Sequence, residues 1–174
     1  MAISTSTRTI VTYGHPVLRQ PARSVREITG DLQHLIDDMV ETMYAAPGVG
    51  LAANQVGRLE RVFVANPDEH HDPAKLLVVI NPELIESEGE SVAEEGCLSI
   101  PEFREEVRRA RRVLLRGLDR AGRPLEIEAV DLMARIVQHE MDHLTGVLFV
   151  DRLSPAKRDI LLRKLKKAFL DSKG

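Results

Sequence analysis

Three stretches of the chain carry apolar residues at the spacing of an α-helix. The first begins at Asp31 and ends at Pro47-Gly48, and its apolar positions recur every three or four residues. The second extends from about 131 to 145 and is apolar around most of its circumference, which predicts a buried helix. The third begins with Ser154 as a cap and Pro155 in its first turn. The pattern therefore predicts an N-terminal helix, a buried central helix and a C-terminal helix.

Between the first two helices the pattern changes to short, β-branched runs. Residues 61–65 and 76–80 are each followed by an Asn-Pro pair, which is typical of strands that end in turns. Residues 112–118 and 124–130 flank a four-residue turn, 119–122, with Gly at its end. These two runs therefore predict a β-hairpin.

The order of these elements predicts the fold class. Helix, strands and then helices without βαβ alternation indicate an α+β fold, with mainly antiparallel strands packed around the buried central helix. The acidic segment 86–106 shows neither period, so we expect it to be irregular and to carry functional residues. No repeat, low-complexity tract or flexible linker divides the sequence, and we expect one domain over residues 1–174.

Composition and charge argue against several classes of function. The longest apolar run, from Leu76 to Ile80, has five residues, so no membrane span is expected. Aromatic residues make up 3% and the net charge is −3, which disfavours a stacking platform for nucleic acid and a general attraction to it. A single cysteine and the absence of a recognisable secretory signal favour a cytoplasmic protein.

The charge is unevenly distributed along the chain. Residues 155–174 carry seven Lys or Arg against two Asp, so the C-terminal helix from about 155 has a charge of +5 and the remainder of the chain −8. A solvated helix face is the simpler interpretation. Ribosome docking through this basic helix is the alternative, and no sequence-specific binding of nucleic acid is expected.

The sequence 139–143, His-Glu-Met-Asp-His, lies on the second predicted helix. A spacing of four residues brings the imidazoles of His139 and His143 within about 40° of each other around the helix axis, so both can reach one metal ion. Glu140 can then contact a water molecule on that metal without being a ligand. The alternative is that the histidines only pack or cap, but a buried face with these polar groups needs partners, and a metal supplies them.

Two histidines do not complete a metal site, and the downstream sequence offers no clear third ligand. The position six residues beyond His143 is Phe149, and no Glu follows Glu140. Cys97 is the strongest upstream candidate, although a free cysteine is most often a small buried hydrophobic residue. A Cys-His-His set that leaves the fourth position open would be catalytic in form.

Two glycines directly after the first helix mark a third feature. Gly48 and Gly50 predict a turn whose backbone a substrate can approach closely. A plain connection between helix and strand is the alternative. A dinucleotide-binding fingerprint is excluded, because no strand precedes these residues and the third glycine is missing.

Three segments together resemble the motifs of the peptide deformylases. They occur in the family's order: 48–55 (GVGLAANQ), 95–99 (EGCLS) and 138–144 (QHEMDHL). The resemblance continues at 15–19 and at 153–155, so it spans nearly the whole chain. On these motifs the sequence is identified as a member of that family.

The resemblance implies a reaction and a set of site residues. The reaction is hydrolytic removal of the formyl group from the initiator methionine of nascent polypeptides, with release of formate. The side chain of Glu140 takes the proton of the attacking water and passes it to the leaving amine. The side-chain amide of Gln55 and the backbone N–H of Leu98 stabilise the oxyanion. The implied metal ligands are Cys97, His139 and His143.

The resemblance also implies where the peptide binds. We expect the substrate to pair as an added strand with the backbone near Val49 and Gly50 on one side and Gly96 on the other. The methionine pocket is expected along the second helix, among Leu132, Arg135, Ile136 and His139.

Arg135 lies one turn before His139, where some relatives carry an aliphatic residue. A guanidinium is costly to bury without a partner, so we expect its stem along the pocket wall and its charged head at the rim, where it meets solvent or a carboxylate. Such a head would mildly favour acidic residues after the methionine.

Alternatives remain for the identity of the metal ion and for the function of the protein. The family resembled here uses Fe²⁺ physiologically and accepts Ni²⁺, Co²⁺ or Zn²⁺, so we expect one divalent ion, Fe²⁺ in the cell, selected by supply rather than by affinity. A zinc endopeptidase with the same helix motif is a second candidate function, which the missing downstream ligand disfavours. A non-enzymatic metal-binding module is a third, which Glu140 disfavours because a structural site needs no base.

Overall fold

The computed structural model describes residues 6–171, which form three α-helices and two antiparallel sheets. Each helix starts within one residue of the predicted start, and Thr29 caps the first, with its hydroxyl accepting from the backbone N of Leu32 at 3.2 Å. Lys173 of the basic segment lies outside the described residues. The helices are α1 (Gly30–Ala45), α2 (Asp131–His143) and α3 (Pro155–Leu165), which continues into a π-helical turn, Lys166–Leu170.

Five strands form the larger sheet in the order β1-β2-β3-β6-β7, and all neighbouring pairs are antiparallel. The smaller sheet consists of β4 (Ser91–Cys97) and β5 (Ile100–Arg109). The mixed architecture of helices and mainly antiparallel strands is therefore confirmed. The strands of the larger sheet are β1 (Gly50–Ala52), β2 (Val62–Ala65), β3 (Leu77–Glu88), β6 (Arg112–Leu118) and β7 (Pro124–Val130).

The larger sheet lies between α1 and α2. Because successive side chains of a strand point to opposite faces, β2 contributes to two different cores. Val62 and Val64 pack with the α1 residues Leu35, Ile36 and Met39. Phe63 and Ala65 pack with the α2 residues Ala134, Ile136 and Val137. All of these side chains are buried, so the sheet fixes the position of α2.

A third apolar cluster joins α3 to the smaller sheet. Leu161 and Leu165 of α3 pack in one cluster with Ile100 and Val107 of β5 and with Phe149. The residues of α3 outside this cluster are exposed, and half of them are basic. The smaller sheet is thereby anchored on its α3 side by apolar burial.

One strand is longer than predicted. β3 runs through Asn81-Pro82, where the pairing with β6 shifts register between Ile80 and Glu83. The side chain of Asn81 accepts from Val25 N at 2.7 Å and donates to Val25 O at 2.8 Å, and the residue has a φ of 53°. The Asn-Pro pair therefore produces a β-bulge instead of ending the strand.

The prediction that 86–106 is irregular is wrong. This segment contains the end of β3, all of β4 and much of β5. Nine of its 21 residues are charged and few are apolar, so the apolar alternation that indicates a strand is missing. The two strands are defined by pairing with each other from Ser91–Arg109 to Cys97–Ile100.

Within residues 6–171, the structure contains no helix that is both long and apolar enough to cross a membrane.

Candidate metal centre and active site

Helix α2 holds two imidazoles beside each other. His139 Nε2 and His143 Nε2 are 3.2 Å apart, as the four-residue spacing requires. His139 Nδ1 lies 2.9 Å from Glu95 Oε1 and donates to it, so the lone pair lies on Nε2 when the ring is neutral. Burial lowers the pKa of His139, but its contacts with Cys97 and Glu95 outweigh burial and raise it, so a metal must displace the Nε2 proton. Burial lowers the pKa of His143, which keeps its ring neutral. Once the His139 proton is displaced, both rings can offer a nitrogen lone pair to one point.

Cys97 brings a third donor atom from the end of β4. The pairing of β4 with β5 shifts register directly after Gly96, and the shift sets the direction of the next residue. Cys97 Sγ lies 3.3 Å from His143 Nε2, and the donor atoms of Cys97, His139 and His143 all lie within 4.8 Å of one another. No other cluster of three such residues occurs in the described part of the chain.

This set of donors fits a divalent transition-metal ion. Ligand atoms about 2.0–2.3 Å from a tetrahedral ion lie about 3.3–3.8 Å apart, close to the separations of 3.2 and 3.3 Å between these atoms. One thiolate and two neutral imidazoles suit first-row transition metals. Glu140 Oε2 is buried and has no hydrogen-bond partner among residues 6–171, as expected of a group that faces a bound species.

The side chain of Glu140 extends from α2 to the backbone of β1. A Cβ added at Gly50 would lie 3.0 Å from the carboxyl carbon of Glu140, so only glycine fits there without displacing the side chain. Burial raises the pKa of Glu140 to about 7, although the nearby His139 opposes the rise. A carboxyl group with a pKa near neutrality can both accept and return a proton.

Glu95 is the acceptor for several charged groups behind the metal centre. Arg109 donates to both of its oxygens at 2.9 Å, Arg135 Nη1 donates to Oε2 at 2.6 Å, and His139 donates to Oε1. Burial alone would raise the pKa of Glu95, but the bonds from Arg109 and His139 outweigh burial and hold the pKa well below its usual range. The ionised carboxylate therefore fixes the orientation of the His139 ring.

The same network continues to the C-terminal end of α2. Arg109 Nη1 donates to Asp142 Oδ2 at 2.6 Å, and Arg152 donates to both oxygens of Asp142 at 2.7 and 3.0 Å. Arg109 belongs to β5, and Asp142 lies next to His143. The network therefore connects the smaller sheet to the helix that carries the two histidines.

The head of Arg135 is inside the protein, which corrects the expectation that it lies at the rim. Nη1 donates to Glu95 Oε2 and to Val107 O at 2.8 Å, and Nη2 donates to Ser91 O at 2.9 Å and Ser91 Oγ at 3.0 Å. The residue is 6% exposed. Burial is tolerated because a carboxylate and three further acceptors replace the lost hydration.

A cavity of about 740 Å³ opens beside the three donor atoms. Cys97, Leu98, His139 and Glu140 are in its wall. The structure also brings every residue predicted to bind substrate to this cavity, namely Val49, Gly50, Gly96, Leu132, Arg135 and Ile136.

Gln55 lies behind Cys97 and is not part of the cavity wall. Its Nε2 donates to Ser99 Oγ at 3.1 Å and to Cys97 Sγ at 3.5 Å, and its Oε1 accepts from Ala52 N at 3.0 Å. The amide is buried, so these contacts hold its N–H group towards Cys97.

Three charged members of the site were missed by sequence reasoning. Glu95 and Asp142 are inside the motifs that carry Cys97 and His143, and their position there is the signal that could have identified them. Arg109 offers no local signal, because its partners Glu95 and Asp142 are 14 and 33 residues away.

A cysteine sulfur and two imidazoles beside a buried carboxyl group, in the wall of an open cavity, are typical of a metal-dependent hydrolase. The sequence model of the polypeptide deformylase family matches residues 7–159, and the chain belongs to this family. Peptide deformylases are metal-dependent hydrolases that act on nascent formyl-methionyl peptides, so the family prediction is confirmed and the endopeptidase alternative is not favoured.

Similar proteins cover almost all of the chain. The peptide deformylase of Thermodesulfovibrio yellowstonii is 51% identical over 154 residues, which are 88% of this chain and 93% of the relative. A crystal structure of a peptide deformylase from Legionella pneumophila is 44% identical, with a TM-score of 0.87, over 97% of this chain and 99% of that one. A peptide deformylase from Ehrlichia chaffeensis in complex with actinonin is 36% identical, with a TM-score of 0.86, over 95% and 99%.

Proposed function

We propose that residues 1–174 form one catalytic domain that removes the N-formyl group from the initiator methionine of nascent polypeptides and releases formate. The observation that carries the proposal is the cluster of Cys97, His139 and His143 beside Glu140, in a chain of the polypeptide deformylase family. In this proposal α2 is the central helix of the domain, because it supplies two ligands and the base.

The buried side chains divide the chemistry between them. Cys97, His139 and His143 would hold a divalent metal, which would supply Lewis-acid activation of water at neutral pH. Glu140 accepts the proton of the attacking water at its unpartnered Oε2 and later delivers it to the leaving amine. Glu95 keeps the His139 ring oriented through its Nδ1.

The oxyanion is stabilised from the side of Cys97. The backbone N–H of Leu98 and the side-chain amide of Gln55 are the proposed donors. The Gln55 amide already donates to Cys97 Sγ at 3.5 Å, so a small reorientation brings it to a neighbouring oxyanion. Leu98 supports this role because it lies in the cavity wall next to Cys97.

The peptide binds between two sheet edges. In the described sheets β1 pairs only with β2, and β4 only with β5, so each has one edge free to accept a strand. The backbone of Val49 and Gly50 borders the cavity on the first side, and Gly96 borders it on the second. Leu132, Ile136 and the stem of Arg135 form the proposed methionine pocket.

The metal in the cell is proposed to be Fe²⁺, with Ni²⁺, Co²⁺ and Zn²⁺ as substitutes. The donor set supports all four, so metal supply rather than ligand type determines occupancy. Purification without oxygen, followed by metal analysis, is expected to give one equivalent of iron. A full equivalent of zinc in protein purified from cells with ample iron would contradict the assignment.

The basic C-terminal helix is proposed to dock on the ribosome, in the cytoplasm. Arg163, Lys164, Lys166 and Lys167 are exposed, whereas Leu161 and Leu165 on the other face are buried. A basic surface attracts ribosomal RNA in a salt-dependent manner. Co-sedimentation with ribosomes is expected, and reversal of two of these charges is expected to abolish it without loss of formate release.

The activity is tested by formate release from formyl-Met-Ala-Ser, with acetyl-Met-Ala-Ser and an unformylated peptide as controls. Only the formylated peptide is expected to react. Glu140→Gln is expected to retain the metal and lose about 10²–10⁴-fold in kcat, because an amide cannot accept the proton. Cleavage of an internal peptide bond, or a Glu140→Gln variant of nearly full activity, would contradict the proposal.

A further inference from the structure

The charges in the cavity wall are unequally compensated. Four carboxylates and two guanidinium groups border the cavity, from Glu94, Glu95, Glu102, Glu140, Arg104 and Arg135. Glu94 accepts from Arg104 Nε at 2.6 Å, and Glu95 is bonded to Arg135 and Arg109. Glu140 is buried at the metal centre. One carboxylate therefore remains at the open part of the cavity without a cationic partner among residues 6–171.

That carboxylate is Glu102. It is exposed, it borders the cavity, and it has no hydrogen bond or ion pair with any residue in 6–171. The positive charge nearest to it in the sequence, Arg104, is already paired with Glu94. A ligand in the cavity therefore meets one uncompensated negative charge, outside the catalytic centre.

The backbone presents Glu102 in an unusual conformation. Its φ is 74°, in the left-handed region that residues other than glycine rarely adopt. It lies where the pairing partners change from Cys97–Ile100 to Gly96–Arg104, so β5 has extra residues opposite the bulge. Strained residues of this kind concentrate at ligand sites, where the surrounding structure holds them.

We infer that Glu102 selects peptides that carry a basic side chain in one of the two positions after the formyl-methionine. The inference rests on the proposed function and adds a preference among its substrates. An unpaired carboxylate at the mouth of a cavity attracts Lys or Arg and repels Asp or Glu. The preference is opposite to the one predicted from Arg135, whose head is buried and already paired.

The test compares four peptides that differ in one charge. These are formyl-Met-Lys-Ala, formyl-Met-Asp-Ala, formyl-Met-Ala-Lys and formyl-Met-Ala-Asp, all as C-terminal amides, with formyl-Met-Ala-Ala as the uncharged reference. At low salt, kcat/KM is expected to be about fivefold higher for Lys than for Asp in at least one position. A factor of this size is typical of one exposed charge pair. The difference should lie in KM, because the contact is the same in the ground and transition states.

Two variants separate Glu102 from the general charge of the protein. Glu102→Gln removes the charge and keeps the size, and it is expected to bring the ratio of Lys to Asp to about one. Glu106→Gln is the matched control, because Glu106 lies on the same strand outside the cavity wall, and it is expected to leave the ratio unchanged. High salt is expected to reduce the ratio in the parent protein.

The outcomes distinguish the inference from the proposed function. A parent protein that hydrolyses formyl-Met-Ala-Ala but shows no preference for Lys, or prefers Asp, overturns the role of Glu102. A ratio that persists in Glu102→Gln overturns it as well. If no formylated peptide releases formate, including the uncharged one, the proposed function itself fails.

Discussion

The two regions that hold the metal ligands are positioned by different forces. Helix α2 places His139 and His143 beside each other through the four-residue spacing of one helical turn, and Glu95 then orients the His139 ring. Cys97 belongs to the β4–β5 sheet, whose strands pair with each other and with no strand of the larger sheet in the described residues. Its distance from the histidines therefore depends on side-chain contacts between sheet and helix.

Buried charges supply those contacts. Arg135 reaches from α2 to Glu95 and Ser91 of β4, and Arg109 reaches from β5 to Asp142 of α2. Such bonds act at short range and in defined directions, so they can fix an interatomic distance that apolar packing alone would leave less defined. Local helix geometry therefore brings two of the ligands together, whereas long-range ionic contacts determine the position of the third.

Replacement of Arg109 by Met is expected to cause the largest loss in the free energy of unfolding. The variant leaves Glu95 and Asp142 buried with fewer cationic partners, which typically costs about 3–5 kcal/mol. Urea unfolding of the metal-free protein measures the loss. Circular dichroism is expected to show that α2 remains helical, because its spacing does not depend on Arg109.

The metal content of the same variant tests the positional claim. If Arg109→Met retained a full equivalent of metal through dialysis against a chelator, the position of Cys97 would not depend on the network. Arg109→Lys is the conservative comparison, and partial recovery of metal retention is expected, since one charge returns without the bidentate geometry.

Replacement of Arg135 by Met is expected to have an intermediate effect. Glu95 keeps Arg109 as a partner, so the loss of stability is expected to be about 1–3 kcal/mol. The metal dissociation constant is expected to rise about 10–100-fold, the usual effect of loosening the groups behind a ligand. A chelator competition with Co²⁺ measures the affinity, and an unchanged affinity would reduce Arg135 to a structural role.

Replacement of Gly50 by Ala tests how precisely the Glu140 carboxyl group of α2 must be positioned. The added Cβ would lie 3.0 Å from the Glu140 carboxyl carbon, so the carboxyl group must move. A displacement of a fraction of an ångström is expected to lower kcat about tenfold, with unchanged metal content. Gly30→Ala is the matched control, because a Cβ at Gly30 meets no atom within 4 Å. Equal kcat values for the two variants would show that Glu140 tolerates the shift.

The same division explains what the sequence could predict. The start of α2 and the proximity of His139 to His143 follow from local periodicity, and both agree with the structure. β4 and β5 were missed because their stability comes from pairing with each other and from α3, and neither leaves a periodic signal in 86–106. The buried head of Arg135 could not be anticipated, since its acceptors at Ser91 and Glu95 are 44 and 40 residues away.

The smallest effect is expected for an arginine on the exposed face of the larger sheet. Arg116 Nε donates to Glu126 at 3.0 Å, a distance similar to those in the buried network, but the two side chains are 59% and 55% exposed. Water solvates both groups before and after the bond forms, so Arg116→Met is expected to change the free energy of unfolding by less than about 0.5 kcal/mol. Urea unfolding beside Arg109→Met, at low and high salt, compares the same substitution in two environments. A loss above about 1 kcal/mol for Arg116→Met would show that bond geometry rather than burial determines how much these arginines stabilise the protein.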